Sequence, residues 1–248
     1  MAHDPHHLDP CPCYAKALLS SAQDEHDCIE HMLSLVAMLS TEGAAFVTPP
    51  SARERADEER KRFTNFSADT VTLVNVLTAF GARKGSKAKQ WCEQHFVNRR
   101  TVELARQVRE QLVESCRRLG LLADSYVASE VERAREAAQR AQKGLGMLDE
   151  DVATRVRRCL TSAFFSNAAQ RQPSGEYVAL ASRETVAIHP SSALFSRRVS
   201  CVLFNELLYT TKLYMRDLTQ IDPEWLAELA PGTYAVEQTP EPAVGARR

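Results

Sequence analysis

The chain has 248 residues, 44% of them hydrophobic and 25% charged, with a formal net charge of −1; this is a globular composition with apolar material for one large or two small cores. Its seven cysteines are scattered singly, which excludes a disulfide framework at this length and points to a reducing compartment. The first ten residues hold neither a basic nor an apolar stretch, and no run approaches the ~18 apolar residues of a membrane-crossing helix, so the chain is expected to be intracellular and off the membrane.

Residues 1–13 are polar and proline-rich and should be irregular. His3, His6, His7, Cys11 and Cys13 match no zinc-finger spacing, so no metal is expected there. A short helix at 14–21 follows. Ile29, Met32, Leu33, Val36 and Leu39 then repeat at helical spacing and predict a second, amphipathic helix. Cys28 and His31 lie one turn apart on it, a pairing open to metal ligation but better suited to a small hydrophobe beside a polar edge. Pro49 and Pro50 stop that helix, and the almost wholly charged 52–62 should be an exposed helix laced with i,i+4 pairs. Asp69 is placed to cap a helix at 69–80, whose stripe is Leu73, Val76, Leu77 and Phe80.

The stretch 81–118 carries ten Lys/Arg against four Glu, a local excess of +6. It reads as a basic Gly/Ser loop at 81–89, a short helix anchored by Trp91 and Phe96, and a longer helix with Val102, Ala105, Val108, Leu112 and Cys116 as its seam. If that helix is continuous from Arg99, then Arg99, Arg106 and Arg117 fall within about 40° of one another. Glu103 and Glu110 can pair with Arg106 and consume part of that charge. The stripe is thus either a phosphate-binding surface or a solvated face. An Ala/Arg/Glu/Gln-rich helix follows within 123–148 and ends at Gly144 and Gly146. Asp149 caps the next helix, at 152–167.

From 176 onward the period changes to two. Residues 176–181 and 185–189 are short strand candidates, while 199–209 and 213–221 are longer ones joined by a bend at 210–212, a β-hairpin. Asp222 and Pro223 open a final helix at 224–229, and 235–248 should be a disordered tail. The fold class is α+β: an all-α half at 14–122, an inserted surface helix at 123–148, and a small all-β barrel or sandwich with flanking helices at 149–234.

IHPSS at 188–192 and ELLYTTKLYMRDLTQIDPEWL at 206–226 resemble the OB-fold domain of the DEAH-box RNA helicases. YAKALLSSA at 14–22, PPSARER at 49–55, TLVNVLTAF at 72–80 and WCEQHFVNRRTVELARQVREQL at 91–112 resemble the helical ratchet domain that precedes it. The AIHPSS, ELLYT and YMRDL stretches look most like the ribosome-biogenesis branch, which implies a nuclear or nucleolar location. In that family an LDP sits at the exit of a winged-helix domain, so 1–13 would be a remnant of one, and Met1 a truncated or alternative start. The family writes Gly-Asp-His where this chain has Ala68, Asp69 and Thr70, which puts the histidine's contact in question.

The resemblance implies a region that grips single-stranded RNA for the motor domains of the same helicase. ATP and Mg2+ are implied for full-length relatives only, since no phosphate loop, DEAH box, HExxH or GxSxG stands among these residues; the chain has no catalytic site of its own. The family's FVNxR segment lines the nucleic-acid tunnel, which assigns Asn98 and Arg100 to RNA, with Arg99 and Arg106 beside them. His189, Ser191 and Ser192 sit on an inter-strand loop where they suit sequence-blind phosphate or sugar contacts; equally, the serines cap the turn at 193–195. Lys212, Tyr214 and Arg216 share one face of a strand, either as a nucleic-acid or partner surface or with Tyr214 packed and the cations solvated. The alternative function is a module that docks a glycine-rich activator protein without binding RNA itself.

Overall fold

Apolar residues three and four apart build the helices, and each helix buries that stripe against its neighbours. The computed structural model describes residues 12–23, 25–81, 83–123, 125, 126, 136, 139 and 147–235; the start, most of the expected inserted helix and nearly all of the expected tail lie outside these. The helical half comprises α1 (Pro12–Ser21), α2 (Ile29–Leu39), α3 (Arg53–Lys61), α4 (Asp69–Phe80), α5 (Gly85–His95) and α6 (Arg99–Arg118). Helix α2 is buried from Met32 to Met38 because α4 and α6 both pack on it. The basic loop expected at 81–89 is shorter than that: α5 already starts at Gly85, one turn earlier than the Gly/Ser content suggests.

Helix α7 (Glu150–Phe164) begins where expected, with Asp149 accepting the Val152 N–H at 2.9 Å. It ends in a 3-10 turn, Phe165–Asn167, and leads into a strand that the sequence did not announce, β1 (Ala168–Arg171). Then come β2 (Tyr177–Ala179), β3 (Thr185–Ile188), β4 (Cys201–Leu203), β5 (Glu206–Tyr209), β6 (Leu213–Arg216), β7 (Thr219–Ile221) and α8 (Pro223–Leu229). The Asp222 carboxylate caps α8 by accepting the Glu224 N–H.

The two long strands of the expected hairpin are each broken in two, yet β5 with β6 and β4 with β7 keep a single antiparallel register. The break falls at 204–205 and 217–218. There the Phe204 N–H turns to Asn167 O, and Asp217 adopts φ 51. The strand order is β5-β6-β3-β2-β1-β4-β7, with β3 and β6 parallel and the other pairs antiparallel. The two halves of one ribbon therefore lie at opposite ends of the ladder. Two short links join them, residues 204–205 in one strand and 217–218 in the other, each a span of at most ~11 Å, so the sheet must curl until its ends meet although no hydrogen bonds close it. Leu194, Met215, Leu218, Tyr177 and Ile188 fill the curl.

A second core unites the halves: residues of α1, α2, α4 and α6 are buried in one cluster with α7, β4, β7 and α8. The lock is the start of α4. Asp69 does not cap the helix as the sequence suggests, since the N-cap position is Ala68. Its carboxylate instead accepts the N–H groups of Ala193 and Leu218, at 2.9 and 3.1 Å. Thr70, where the family has histidine, shares a buried hydrogen bond with the Thr219 hydroxyl at 2.7 Å.

Candidate nucleic-acid interface

Strand β3 ends at Ile188, and Pro190, which has no N–H to give, breaks the pairing. The loop then folds on itself. The Ser191 N–H and hydroxyl both meet His189 Nδ1, at 3.2 and 2.7 Å. Because the N–H can only donate, Nδ1 is the acceptor and the neutral ring carries its proton on Nε2, as the network assigns it. Ser192 Oγ accepts the Leu194 N–H at 3.1 Å, the turn-capping role weighed for it, and buried Leu194 pins the loop from below.

This loop faces the helical half across a cleft of about 600 Å³. Met38 to Phe46, at the end of α2 and after it, and Thr101, near the start of α6, form one wall; His189, Ser191, Ser192 and Arg216 line the other. Arg60 spans them, donating to Ser191 O at 2.8 Å with its guanidinium 4.9 Å from the Phe46 ring centre. The helix α3 that carries it is less idle than its composition suggests, and its own pairs, Lys61 with Glu58 and Arg62 with Glu59, are i,i+3 rather than i,i+4. Asn98 is the N-cap of α6 and its N–H binds Ala45 O at 2.8 Å. It positions the wall.

Carboxylates outnumber cations in this cleft: Glu42, Asp69, Glu206 and Asp217 line it with Arg60 and Arg216. Glu206 pairs with Arg216 at 2.9 Å and Asp69 is occupied by two backbone N–H groups. Burial pushes the Asp217 carboxyl up to about 6, and Asp69 and Glu206 add to that against the pull of Arg216. What the cleft offers a nucleic-acid backbone is polar hydrogen-bonding groups, not a basic field.

Helix α6 is continuous from Arg99, so the expected stripe exists, but its cations are largely spent. Arg99 holds Glu103 at 2.9 Å. Arg117 and Arg118 both hold Glu114, at 2.9 and 2.8 Å, and their hydrogen bonds pull its carboxyl down to about 2. Arg106 Nε is buried with no hydrogen-bond partner, and Arg100 is exposed without an ion pair among the described residues. Arg99, Arg100 and Arg106 line neither this cleft nor the next.

Lys212, Tyr214 and Arg216 are divided: Arg216 lines the first cleft, while Lys212 and Tyr214 line a second cavity of about 690 Å³ with Arg171, Arg197 and Arg198. The Tyr214 ring stands edge-on to His189, centroids 5.6 Å apart. Sequence reasoning missed Arg60 and these three arginines. The Arg197-Arg198 pair, a few residues after the serines, was the available signal; Arg60 was hidden in a run of charges.

Residues 11–144 match the family model of the helicase associated domain (HA2), ratchet-like, and residues 156–234 match that of the oligonucleotide/oligosaccharide-binding (OB)-fold. The chain is 37% identical over 220 residues to the ATP-dependent RNA helicase DHX33 of Homo sapiens, covering 89% of this chain and 27% of that protein. It is 34% identical to DHX33 of Mus musculus, covering 89% and 28%. It is 36% identical over 232 residues to the pre-mRNA-splicing factor ATP-dependent RNA helicase DEAH10 of Arabidopsis thaliana, covering 89% and 29%. The chain thus spans less than a third of the length of these relatives.

Proposed function

This chain belongs to the ratchet-like helicase-associated and OB-fold family of the DEAH-box RNA helicases, corresponding to a C-terminal helicase region, and on that premise we propose that it grips single-stranded RNA without reading its bases. The observation that carries this is the placement of His189, Ser191 and Ser192 across one cleft from the start of α6, so that both halves of the molecule face the same space. Imidazole, hydroxyl and main-chain groups suit phosphate and sugar oxygens, which fix a strand's register but carry no base information. In a complete helicase the region would hold the strand while motor domains use ATP and Mg2+. The chain's own residues include no phosphate-binding loop to hold that nucleotide. The names of the relatives support RNA processing; the IHPSS, ELLYT and YMRDL resemblance supports ribosome biogenesis and a nuclear or nucleolar setting.

A second reading, docking of a protein such as a glycine-rich activator, is favoured by β5, the terminal strand of the ladder, whose four residues are all exposed, Tyr209 at 78%. An open edge bearing apolar side chains can accept a partner strand. Titration of fluorescent single-stranded RNAs of several sequences separates the two. The RNA reading expects His189→Ala to weaken all of them about equally; an intact chain that binds none of them leaves the docking reading.

A further inference from the structure

Three hydroxyl residues of this chain have cations both two and three positions before them: Thr64 after Lys61 and Arg62, Ser86 after Arg83 and Lys84, and Ser200 after Arg197 and Arg198. Basophilic protein kinases read this charge pattern, pairing carboxylates of their substrate groove with the two cations. The fold separates the three. Thr64 is 8% exposed and its hydroxyl donates to Arg60 O at 2.9 Å. Ser86 is wound into the first turn of α5, and Arg83 is folded back on α4, donating to Phe80 O at 2.7 Å with its guanidinium 5.3 Å from the Trp91 ring centre. Arg197, Arg198 and Ser200 are all exposed, on an irregular stretch that ends where β4 begins at Cys201.

Two hydrogen bonds tie that stretch to the sheet. The Arg171 N–H donates to Ser200 O at 2.8 Å and the Tyr177 hydroxyl to Val199 O at 2.7 Å. Both engage main-chain carbonyls, and the Ser200 hydroxyl has no partner among the described residues. A kinase therefore reaches it by a local opening that breaks two bonds and leaves the rest of the sheet paired.

The register says what a phosphate would meet there. Gln170 pairs with Cys201 across β1 and β4, so Arg171 stands opposite Ser200, and opposed residues carry their Cβ atoms ~5 Å apart on one face. Val202 points into the barrel core; at period two Ser200 points the same way, at the barrel's mouth. That mouth is the second cavity, lined by Arg171, Arg197, Arg198 and Lys212 with Glu176 as the one carboxylate, and none of the four cations has an ion-pair partner among the described residues. In a chain whose net charge is −1, this is a local surplus. A phosphoserine carries a charge of about −1.5 to −2 and three acceptor oxygens, which suit such a cluster.

Independently of the RNA-gripping reading, we propose that Ser200 is the acceptor of a basophilic serine/threonine protein kinase, and that its phosphate docks on Arg171 and neutralises the cationic mouth of the barrel. In the transfer Ser200 Oγ bonds to the γ-phosphorus of the kinase's ATP. The bond from that phosphorus to the β–γ bridging oxygen breaks, ADP leaves with the oxygen, and the hydroxyl proton passes to the kinase's general base.

The test incubates the whole chain with ATP, Mg2+ and the catalytic subunit of a cyclic-AMP-dependent protein kinase, and locates phosphate by mass spectrometry of fragments. One phosphate is expected, at Ser200, and none there in Ser200→Ala. Arg197→Ala/Arg198→Ala should slow the transfer at least about a hundredfold, two charge-assisted contacts being lost. Arg171→Gln lies outside the stretch that the kinase reads and should be phosphorylated at the parent's rate. Its phosphate, followed by phosphorus NMR against pH, should titrate near the usual value of about 6, and the parent's about one unit lower. No uptake by the folded chain, whether or not a peptide of residues 195–203 accepts phosphate, overturns the proposal, as does phosphate on Ser86 or Thr64 with Ser200 bare. Equal titration in the parent and Arg171→Gln overturns the docking on Arg171.

Discussion

The carboxylate of Asp69, in the first turn of α4, accepts the backbone N–H of Leu218, 149 residues away, at 3.1 Å. Its other oxygen accepts the N–H of Ala193, so one side chain ties the helical half both to the barrel ribbon and to the loop that carries His189. Asp69→Ala strands both donors at about 1–3 kcal/mol each, and an overall loss of about 2–4 kcal/mol in chemical denaturation is expected. Asp69→Asn keeps one acceptor oxygen and should lose less. Equal effects of the two would mean that the hydrogen bonds are not what the position contributes.

Asp217 predicts an unusual pH dependence. Its folded pKa, about 6, lies above the ~3.9 of an unfolded Asp. Below both values the group is protonated in either state and changes nothing. As pH rises between them the unfolded chain releases its proton first, so stability falls, and above about 6 the penalty is complete. Asp217→Asn removes that penalty and tolerates the left-handed φ of 51. It should be more stable than the parent by about 1–2 kcal/mol at pH 7.5, with the difference vanishing below about pH 3. A difference that is constant across this range would contradict the buried-carboxyl account.

Trp91 and Trp225 test how the halves melt. Trp91 packs among Phe63, Phe80 and His95 in the helical cluster. Trp225 lies against Arg157 and Arg158 and borders the cluster shared by both halves. Because α1, α2, α4 and α6 bury residues in that shared cluster, Trp91→Ala and Trp225→Ala should each lower one common transition. Both rings are partly exposed, so the loss should fall at or below the low end of the ~3–5 kcal/mol typical of buried tryptophans. Two separable transitions in calorimetry would show instead that the halves unfold independently.

Much of this architecture is legible in the sequence because period and punctuation carry it. The stripe of α2, the caps at Asp149 and Asp222, and the register of the 201–221 ribbon follow from spacing alone. Strand β1 does not: Ala168-Ala169-Gln170-Arg171 has no β-branched residue, and its pairing with β2 and β4 is a tertiary effect that overrides propensity. Helix α5 hides behind Gly85 and Ser86, residues that more often mark a loop. The site is harder still. His189, Ser191 and Ser192 were named by resemblance, but Asp69 reads as a cap and Arg60 as surface charge until the halves dock. The division of β6 between two cavities, Tyr214 to one and Arg216 to the other, depends on where the ribbon bends and not on alternation.

The most direct test of the RNA-gripping account is backbone hydrogen exchange of the whole chain with and without single-stranded RNA. Slower exchange is expected together at 189–195, at 40–48 after α2, and at 98–102 where α6 begins, since those segments face one cleft. Protection at β5 alone, or none anywhere at saturating RNA, would contradict it.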